Sequence, residues 1–426
     1  MREFRFPAIG ERYFAETLPC GLQVRVVPKP EFAKTYAFFA SDYGSIDTDF
    51  TLDGKEMTTP DGVAHYLEHK MFDMPDGNAM QMFSRVGGSP NAFTGYTMTA
   101  YYVECTENPY ENLDILLRFV STPHFTEENV EKERGIIAQE IRMYEDSADS
   151  RLYENLFAAL YDHHPVRVPI AGSVESIGKI TAQTLRDCHR AFYDPSNMML
   201  CVAGPVEPEQ VLETALRVLP GKRGGVSARD YGAPESMTGH RSRIETQMEV
   251  SMPGFSLGFK CEPPERGERT LRQELLGDIA SELLAGESSA LYTRLYEEGL
   301  IDCDFSVGYE GLKGAAMLSV SGDSRDPDAV MDAILREAER IGREGPDRAL
   351  FGRLCKSAFG RRVRELDSFE NICYRMCQSC FEGAEYYDFP TLYRGITAEE
   401  AAEFIKNTVR PERAAISIVR PKNKEG

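Results

Sequence analysis

Two of the seven histidines of this 426-residue chain lie within five residues of each other, in AHYLEHKMF (64–72). His65, Glu68 and His69 stand at positions i, i+3 and i+4, so a helix would carry all three side chains on one face. Two imidazoles one turn apart can bind a zinc ion, and a carboxylate beside them can take a proton from zinc-bound water. The spacing therefore predicts a metal site with Glu68 as the general base. The alternative is the polar face of an ordinary surface helix, because short motifs also arise by chance.

A catalytic zinc ion usually has a third protein ligand, and TEENVEKERGIIAQEIRMYE (126–145) offers one on a second helix. Glu133 and Glu140 are seven residues apart, which is two helical turns, so they project from the same face. Glu140 is the predicted third ligand, and Glu133 is predicted to assist catalysis by steering a ligand or a substrate proton. The apolar residues expected to hold this helix against the core are Ile136, Ile137 and Ile141.

The elements that must position these residues follow from the surrounding sequence. The helix that carries His65 is predicted to begin where Thr59 or Asp61 can cap it. Apolar strands such as LQVRVVPKP and TYAFFASDYG precede it, and helices and further strands follow in an order that is not a regular βαβ alternation. This pattern predicts the α+β class.

The chain also repeats itself weakly, at an offset of 216 residues. Residues 180–206 and 396–422 align without a gap, each as a Thr-capped helix, a proline and an apolar strand. Two similar domains are therefore predicted, each a β-sheet packed with helices. Their predicted bounds are 1–220 with the metal motif, 221–243 as a Gly-rich polar linker, and 244–426 without the motif.

The composition bounds the partners and the location of the protein. The net charge is −20 and the isoelectric point is near 4.9, a surface that repels nucleic acid and anionic lipid, so neither is a predicted partner. The N-terminus has no apolar run behind its basic residues, and no apolar stretch is long enough to span a bilayer. Ten cysteines without framework spacing fit reduced thiols. These features predict a cytoplasmic protein.

With the two-glutamate helix added, the sequence resembles the insulinase/pitrilysin family of zinc peptidases, which carry an inverted H-x-x-E-H motif and a later E-x6-E. It looks like the short bacterial members that are related to the subunits of the mitochondrial processing peptidase. The resemblance covers nearly the whole chain. It implies a zinc-dependent metalloendopeptidase that hydrolyses peptides or unfolded segments, with Zn²⁺ on His65, His69 and Glu140.

The resemblance also implies an assembly. Two domains of this family form half of a clamshell chamber, and two more such domains complete it. The chain is therefore expected to form a homodimer, or a heterodimer with a homologous subunit. The alternative function is a non-catalytic or weakly active subunit that needs a partner.

The stretch SPNAFTGYT (89–97) resembles the family strand whose edge takes the substrate peptide as an added strand. Asn91, Ala92 and Phe93 are the predicted substrate-binding residues. An exposed edge strand can pair with any extended peptide through its backbone. The alternative is an ordinary strand after the Gly-Gly turn.

The family's second domain commonly carries an Arg and a Tyr that hold substrate near the zinc. In LYEEGLID (295–302), Tyr296 and Asp302 occupy these positions, and Arg294 is expected on another face of the helix. The chain is therefore expected to lack part of the substrate grip, which a partner subunit would supply.

Cys373, Cys377 and Cys380 have the C-x3-C-x2-C spacing of the radical-SAM iron–sulfur motif. The motif lies 46 residues from the C-terminus, too late for a following barrel, and its positions share one helical face. The spacing therefore favours a buried stripe over a cluster.

Overall fold

The structure of the protein is a computed structural model, and it describes residues 1–75, 77–219, 221 and 225–422. The strands of these residues are β1 (Arg2–Phe6), β2 (Glu11–Thr17), β3 (Gln23–Pro28), β4 (Thr35–Ser41), β5 (Asp49–Leu52), β6 (Lys55–Thr58), β7 (Asp73–Met74), β8 (Gly77–Asn78), β9 (Ser89–Thr94), β10 (Thr99–Cys105), β11 (Met198–Gly204), β12 (Val226–Asp230), β13 (Arg243–Met248), β14 (Gly254–Lys260), β15 (Ser306–Leu312), β16 (Ala315–Asp323) and β17 (Ala414–Pro421). The helices are α1 (Val63–Met71), α2 (Ala79–Val86), α3 (Pro109–Ser121), α4 (Glu127–Glu145), α5 (Ala148–Leu160), α6 (Val174–Ile177), α7 (Ala182–Phe192), α8 (Pro208–Val218), α9 (Glu268–Ala285), α10 (Ala290–Glu297), α11 (Pro327–Glu344), α12 (Arg348–Glu365), α13 (Phe369–Glu382), α14 (Phe389–Arg394) and α15 (Ala398–Thr408).

The described residues form two compact units that are not continuous in sequence. The first unit takes residues from 1–141, 169–231 and 363–387, and the second takes residues from 142–168, 232–362 and 388 onwards. The predicted domains 1–220 and 244–426 differ from this division because the segments 142–168 and 363–387 each belong with the other half of the chain. The predicted linker 221–243 also contains an ordered strand, β12, which pairs with β5 in the first unit.

The first unit is built on a seven-stranded sheet in the order β1-β2-β3-β11-β4-β10-β9. β11 runs parallel to β3 and antiparallel to β4. Both β4 and β11 are buried along their whole length, as their continuous apolar sequences require. One face of the sheet packs against α1, α3 and α7 in the main core, and α13 covers β4 and β11. Among the described residues β9 pairs only with β10, so it is an edge strand.

The second unit has a five-stranded sheet in the order β13-β17-β14-β16-β15. This order and its strand directions match those of β3-β11-β4-β10-β9. A capping box opens each of the two repeated helices, with Thr181 and Thr184 at α7 and with Thr397 and Glu400 at α15. The predicted α+β class and the predicted two-domain repeat are confirmed.

Helix α5 follows α4 in the chain, yet it packs on β14 and β17 of the second unit. A Cβ at Gly258 of β14 would come within 3.0 Å of Leu156 and within 2.9 Å of Leu160, so glycine at this position lets the helix lie close to the sheet. Helix α13 has the matching place in the first unit, where the thiol of Cys373 donates to the carbonyl oxygen of Cys201. The seven-stranded and the five-stranded sheet are therefore each covered by a helix from the opposite half of the sequence.

The helices of the described residues include none with both the length and the apolar composition that crossing a bilayer requires.

Candidate metal centre

Gly62 sets the point at which helix α1 begins. Its φ of 86° is left-handed, and a Cβ here would lie 2.4 Å from the carbonyl oxygen of Ala171, so only glycine fits. Gly62 itself occupies the N-cap position and has no side chain, so the prediction that Thr59 or Asp61 is the N-cap residue is wrong. Thr59 instead donates its hydroxyl to the carbonyl oxygen of Thr48.

The apolar stripe of α1 anchors the motif in the core of the first unit, where Val63, Tyr66 and Leu67 are buried. His65 and Glu68 are each only 8% exposed, at the edge of that core. A buried imidazole and a buried carboxylate require polar partners, which the face of an ordinary surface helix does not provide. The surface-helix alternative is therefore wrong.

Helix α4 supplies the second part of the site. Ile137 and Ile141 are buried, and the hydroxyl of Tyr66 donates to the carbonyl oxygen of Val130, which joins α1 to α4. Ile136 was predicted to face the core, but its side chain is 50% exposed. The buried stripe of this part of α4 is formed by Ile137, Ala138 and Ile141, and the step of about 100° per residue places Ile136 on the side of Ile137 that faces away from Ala138, outside that stripe.

These two helices bring His65, His69 and Glu140 together. Nε2 of His65 lies 3.7 Å from Oε1 of Glu140, and Nε2 of His69 lies 3.4 Å from Oε2 of the same carboxylate. In the described part of the chain, this is the one group of His, Cys, Asp and Glu side chains arranged to hold a metal ion, with its ligand atoms within 4.8 Å of one another. Glu133 lies outside the group, because its Oε1 is 3.2 Å from Nδ1 of His69.

The donor atoms fit a zinc ion. Tetrahedral coordination with bonds of about 2.0–2.1 Å places ligand atoms about 3.4 Å apart, close to the separations from Glu140 to the two histidines. Two imidazole nitrogens and one carboxylate form a known ligand set of catalytic zinc sites. The contact of Glu133 with Nδ1 of His69 fixes that ring and leaves Nε2 facing Glu140.

Burial and neighbouring groups shift the pKa values of His65, His69 and Glu68 in the protein without a metal ion. Burial, followed by the neighbouring His69, lowers the pKa of His65 to about 4. Burial alone would lower the pKa of His69, but hydrogen bonds to Glu133 and Glu140 raise it to about 10. Burial raises the pKa of Glu68 to about 7. A carboxyl group with a pKa near neutrality can both accept and return a proton, as acid–base catalysis requires.

Two residues that the sequence analysis missed contact the predicted site. The hydroxyl of Thr94 donates to Oε2 of Glu68 at 3.0 Å, so strand β9 fixes the predicted general base. Lys70 is buried and pairs with Asp73 and Glu133. The position of Lys70 in the sequence could have indicated its role. It continues the apolar stripe of α1, where a buried lysine is rare.

Strand β9 carries the predicted substrate-binding residues Asn91, Ala92 and Phe93, and it lies beside α1. The side-chain oxygen of Asn91 accepts the N–H of Ala92, so this N–H is directed away from β10. Pro90 lies two residues before Ala92, so its backbone nitrogen also faces away from β10. The N–H that proline lacks is therefore not needed for the pairing with β10. Ala92 thus presents its backbone N–H where an added strand would pair, with the side chain of Asn91 covering it, whereas the ring of Phe93 packs against Phe38.

The second unit carries ion pairs at the positions that match the metal motif. Helix α9 has Asp278 and Glu282 where α1 has its two histidines, and α12 supplies the partners. Arg362 lies 3.2 Å from Asp278, and Arg361 lies 3.7 Å from Glu282. The guanidinium groups satisfy these carboxylates, so this half of the repeat has a structural ion network in place of metal ligands.

Tyr296 and Asp302, the residues predicted to stand in place of the family's Arg and Tyr, lie on helix α10 and after it. Arg294 and Tyr296 are both exposed, and the ring of Tyr296 stacks on Tyr292 with centroids 6.1 Å apart. Asp302 follows the helix and accepts the N–H of Asp304. The second unit thus presents an aromatic ring and a carboxylate at the two predicted positions.

The three cysteines of the C-x3-C-x2-C stretch lie on α13. Cys373 and Cys377 are buried, Cys380 is partly exposed, and burial raises the pKa of all three thiols. Cys201 of β11 contacts Met376 on the same helix face. The arrangement is that of packed, protonated thiols against a sheet.

Together, fold and site define a two-domain α+β protein with an inverted H-x-x-E-H metal motif. Residues 54–174 match the family model described as Insulinase (Peptidase family M16), and residues 179–357 match the model described as Peptidase M16 inactive domain. The chain belongs to the insulinase family, peptidase family M16. The predicted family resemblance is confirmed.

Relatives of this chain carry names from the same family. It is 38% identical to "Uncharacterized zinc protease YmfH" of Bacillus subtilis (strain 168), over 99% of this chain and 100% of that protein. A crystal structure described as an M16-like peptidase from Alicyclobacillus acidocaldarius matches with a TM-score of 0.93 and 34% identity, over 96% of this chain and 98% of that chain. A segment covering 37% of this chain is 28% identical to 31% of a protein named mitochondrial-processing peptidase subunit beta from Arabidopsis thaliana.

Proposed function

We propose that the protein is a zinc-dependent metalloendopeptidase that hydrolyses peptides or unfolded segments. The observation that carries the proposal is the convergence of the two histidine Nε2 atoms on the two oxygens of Glu140, with Glu68 next to the group but outside it. The zinc protease names of the relatives support the same assignment.

Zinc held by His65, His69 and Glu140 would supply Lewis-acid chemistry, polarising a peptide carbonyl and activating a water molecule. Glu68 accepts a proton from the attacking water and passes it to the nitrogen of the leaving amine. Thr94 keeps the carboxylate of Glu68 in one orientation during both transfers, because it holds Oε2.

Extended peptides are the substrate class that β9 favours. A substrate strand can pair with the outward N–H and C=O of Ala92 once it displaces the side-chain oxygen of Asn91. The net charge of −20 favours neutral or basic peptides over acidic ones.

The test combines metal analysis with peptide cleavage by the purified chain and by Glu68→Gln. The wild-type chain should hold about one zinc ion and cleave unstructured peptides. Glu68→Gln should keep the zinc and lose about 10²–10⁴-fold in turnover, the usual worth of acid–base catalysis. Glu131→Gln, an exposed glutamate on α4, is the matched control and should leave both quantities unchanged. A zinc-free wild-type chain, or full activity in Glu68→Gln, would contradict the proposal.

A second candidate function is that of a subunit that needs a homologous partner. Tyr296 and Asp302, which replace the family's Arg and Tyr, favour it, as does the match of residues 179–357 to a model described as an inactive domain. We infer that a homologous subunit, with an Arg–Tyr pair of its own, completes the active site. The chain alone, as a monomer or homodimer, should then bind zinc but cleave peptides poorly. A measured kcat/KM of about 10⁴ M⁻¹s⁻¹ or more for the chain alone, with its mass determined in solution, would refute this candidate.

A further inference from the structure

Lys70 is a cation in a place built for apolar side chains. It continues the stripe of Val63, Tyr66 and Leu67 on helix α1, and its residue is only 1% exposed. An ammonium group at such a depth persists only when carboxylates pair with it. The identity of those carboxylates therefore shows what the lysine does.

The partners of Lys70 connect it to the group of His65, His69 and Glu140. Its Nζ pairs with Asp73 and lies 3.6 Å from Oε2 of Glu133. The other oxygen of Glu133, Oε1, lies 3.2 Å from Nδ1 of His69, and Nε2 of that ring faces Glu140 at 3.4 Å. One oxygen of Glu133 is thus held by the lysine and the other by the imidazole.

This arrangement fixes the rotation of the Glu133 carboxylate. Without the ammonium group, the carboxylate would have only its contact with the ring to define its position. A carboxylate that orients a ligand histidine raises the affinity for the metal.

We propose that Lys70 is a positioning residue for the metal site: it fixes the carboxylate of Glu133 against Nδ1 of His69, so that Nε2 is presented to the metal. The proposal rests on the proposed zinc site. The competing explanation is a local role, in which the pair with Asp73 only secures the end of α1 to β7.

The first measurement is the zinc dissociation constant of Lys70→Met, obtained by competition with a chromophoric chelator, together with the thermal midpoint of the zinc-free chain. Lys70→Met should still bind one zinc ion per chain, with an affinity about 10–100-fold weaker, as for other residues that orient a ligand. Lys132→Met, an exposed lysine on α4, is the matched control and should bind zinc like the wild type. Wild-type affinity in Lys70→Met would overturn the proposal.

A double-mutant cycle separates the two explanations. If Lys70 acts through Glu133, Lys70→Met/Glu133→Gln should bind zinc no more than about twofold more weakly than Glu133→Gln alone. Losses that multiply in full would overturn the proposal. Asp73→Asn, at a partly exposed position, keeps the test open should Lys70→Met not fold. It should retain zinc affinity within about threefold, and a tenfold loss would show that the local pair is what matters.

Failure of the proposed function has a separate signature. In that case the wild-type chain itself would bind no zinc ion, or Glu68→Gln would keep full peptidase activity, whatever the zinc affinity of Lys70→Met. Failure of the Lys70 proposal alone would leave a zinc-loaded wild-type chain and a Lys70→Met variant of equal affinity.

Discussion

Replacement of Glu235 by glutamine should destabilise the second unit through the lysine that it leaves behind. Oε1 of Glu235 accepts the backbone N–H groups of Asp162, His163 and His164 at 3.0, 2.6 and 2.8 Å. Its Oε2 accepts from Nζ of Lys260 at 3.0 Å. Lys260 is only about 2% exposed, so the pair is shielded from water.

The expected magnitude follows from the contacts that Lys260 would keep. Breaking a buried ion pair from one side costs about 3–5 kcal/mol. Lys260 would still donate to the carbonyl oxygen of Ser236 at 2.8 Å and lie 4.4 Å from the ring centroid of Tyr161. We therefore expect the lower end, a loss of about 3 kcal/mol in the free energy of unfolding. Glu235→Gln/Lys260→Met should recover most of this loss, because the second substitution removes the ammonium group that Glu235→Gln alone leaves buried without its carboxylate.

The same pair predicts a pH dependence. Burial alone would raise the pKa of Glu235, but the N–H groups of His164 and His163 and the ammonium of Lys260 lower it from 4.5 to about 2. A carboxylate with a lowered folded-state pKa contributes its full stability above the unfolded value and loses it as the pH falls through the folded value. The stability difference between wild type and Glu235→Gln should therefore be constant above about pH 5 and shrink between about pH 4.5 and 2.

Urea unfolding followed by circular dichroism, with amide hydrogen exchange to locate the effect in the second unit, tests these numbers. Glu265→Gln is the matched control, because Glu265 pairs with Arg269 on the open surface and should contribute less than about 1 kcal/mol. Equal unfolding curves for Glu235→Gln and Glu265→Gln would refute the reasoning.

Three further predictions concern the proposed zinc site. Glu140→Gln should lose zinc as well as activity, because it removes a charged ligand, and metal analysis would contradict the ligand assignment if about one ion per chain remained. Thr94→Val removes the hydroxyl from Glu68 and should lower kcat about tenfold, the worth of one hydrogen bond to a charged group, at unchanged zinc content and thermal midpoint. An unchanged kcat would mean that the carboxylate needs no such support. Ala92→Pro removes the outward N–H of β9 and should raise KM for unstructured peptides about tenfold, whereas a wild-type KM would exclude strand pairing at this edge.

The cluster of His65, His69 and Glu140 could be predicted because much of its geometry is set locally. The spacing of His65, Glu68 and His69 within one helix, and of Glu133 and Glu140 within another, already determines which side chains share a face. The pairing of the two helices was predicted from the need of a catalytic zinc ion for a third protein ligand, and the family resemblance implied the same pairing. The two repeated helices could also be predicted, because the residues of each capping box lie within a few positions of one another.

The contacts that support the cluster depend on packing between distant segments. Thr94 reaches Glu68 from a strand 26 residues away in sequence, and Glu133 reaches Lys70 from another helix. No local sequence pattern predicts such contacts. The position of Lys70 in the apolar stripe of α1 indicates only that this lysine needs a buried partner. The exposure of Ile136 shows the opposite error, in which an apolar residue was assigned to the core by type alone. The assembly, the cytoplasmic location, and the absence of nucleic-acid and lipid partners stay predictions.

Helices α5 and α13 limit how the chain can be divided. A cut within 221–243 would yield two fragments that match the two sequence repeats. Their boundaries would not match those of the two compact units. The N-terminal fragment would carry α5, with Leu156 and Leu160, but not the β14 strand that these leucines cover. It would also lack α13, so the buried strands β4 and β11 would open one face to water. Expression of either half alone should give an aggregation-prone product, whereas a nicked chain should stay associated. A minimal zinc-binding fragment would have to leave out α5 and include α13. The sequence repeat and the unit that folds therefore have different boundaries.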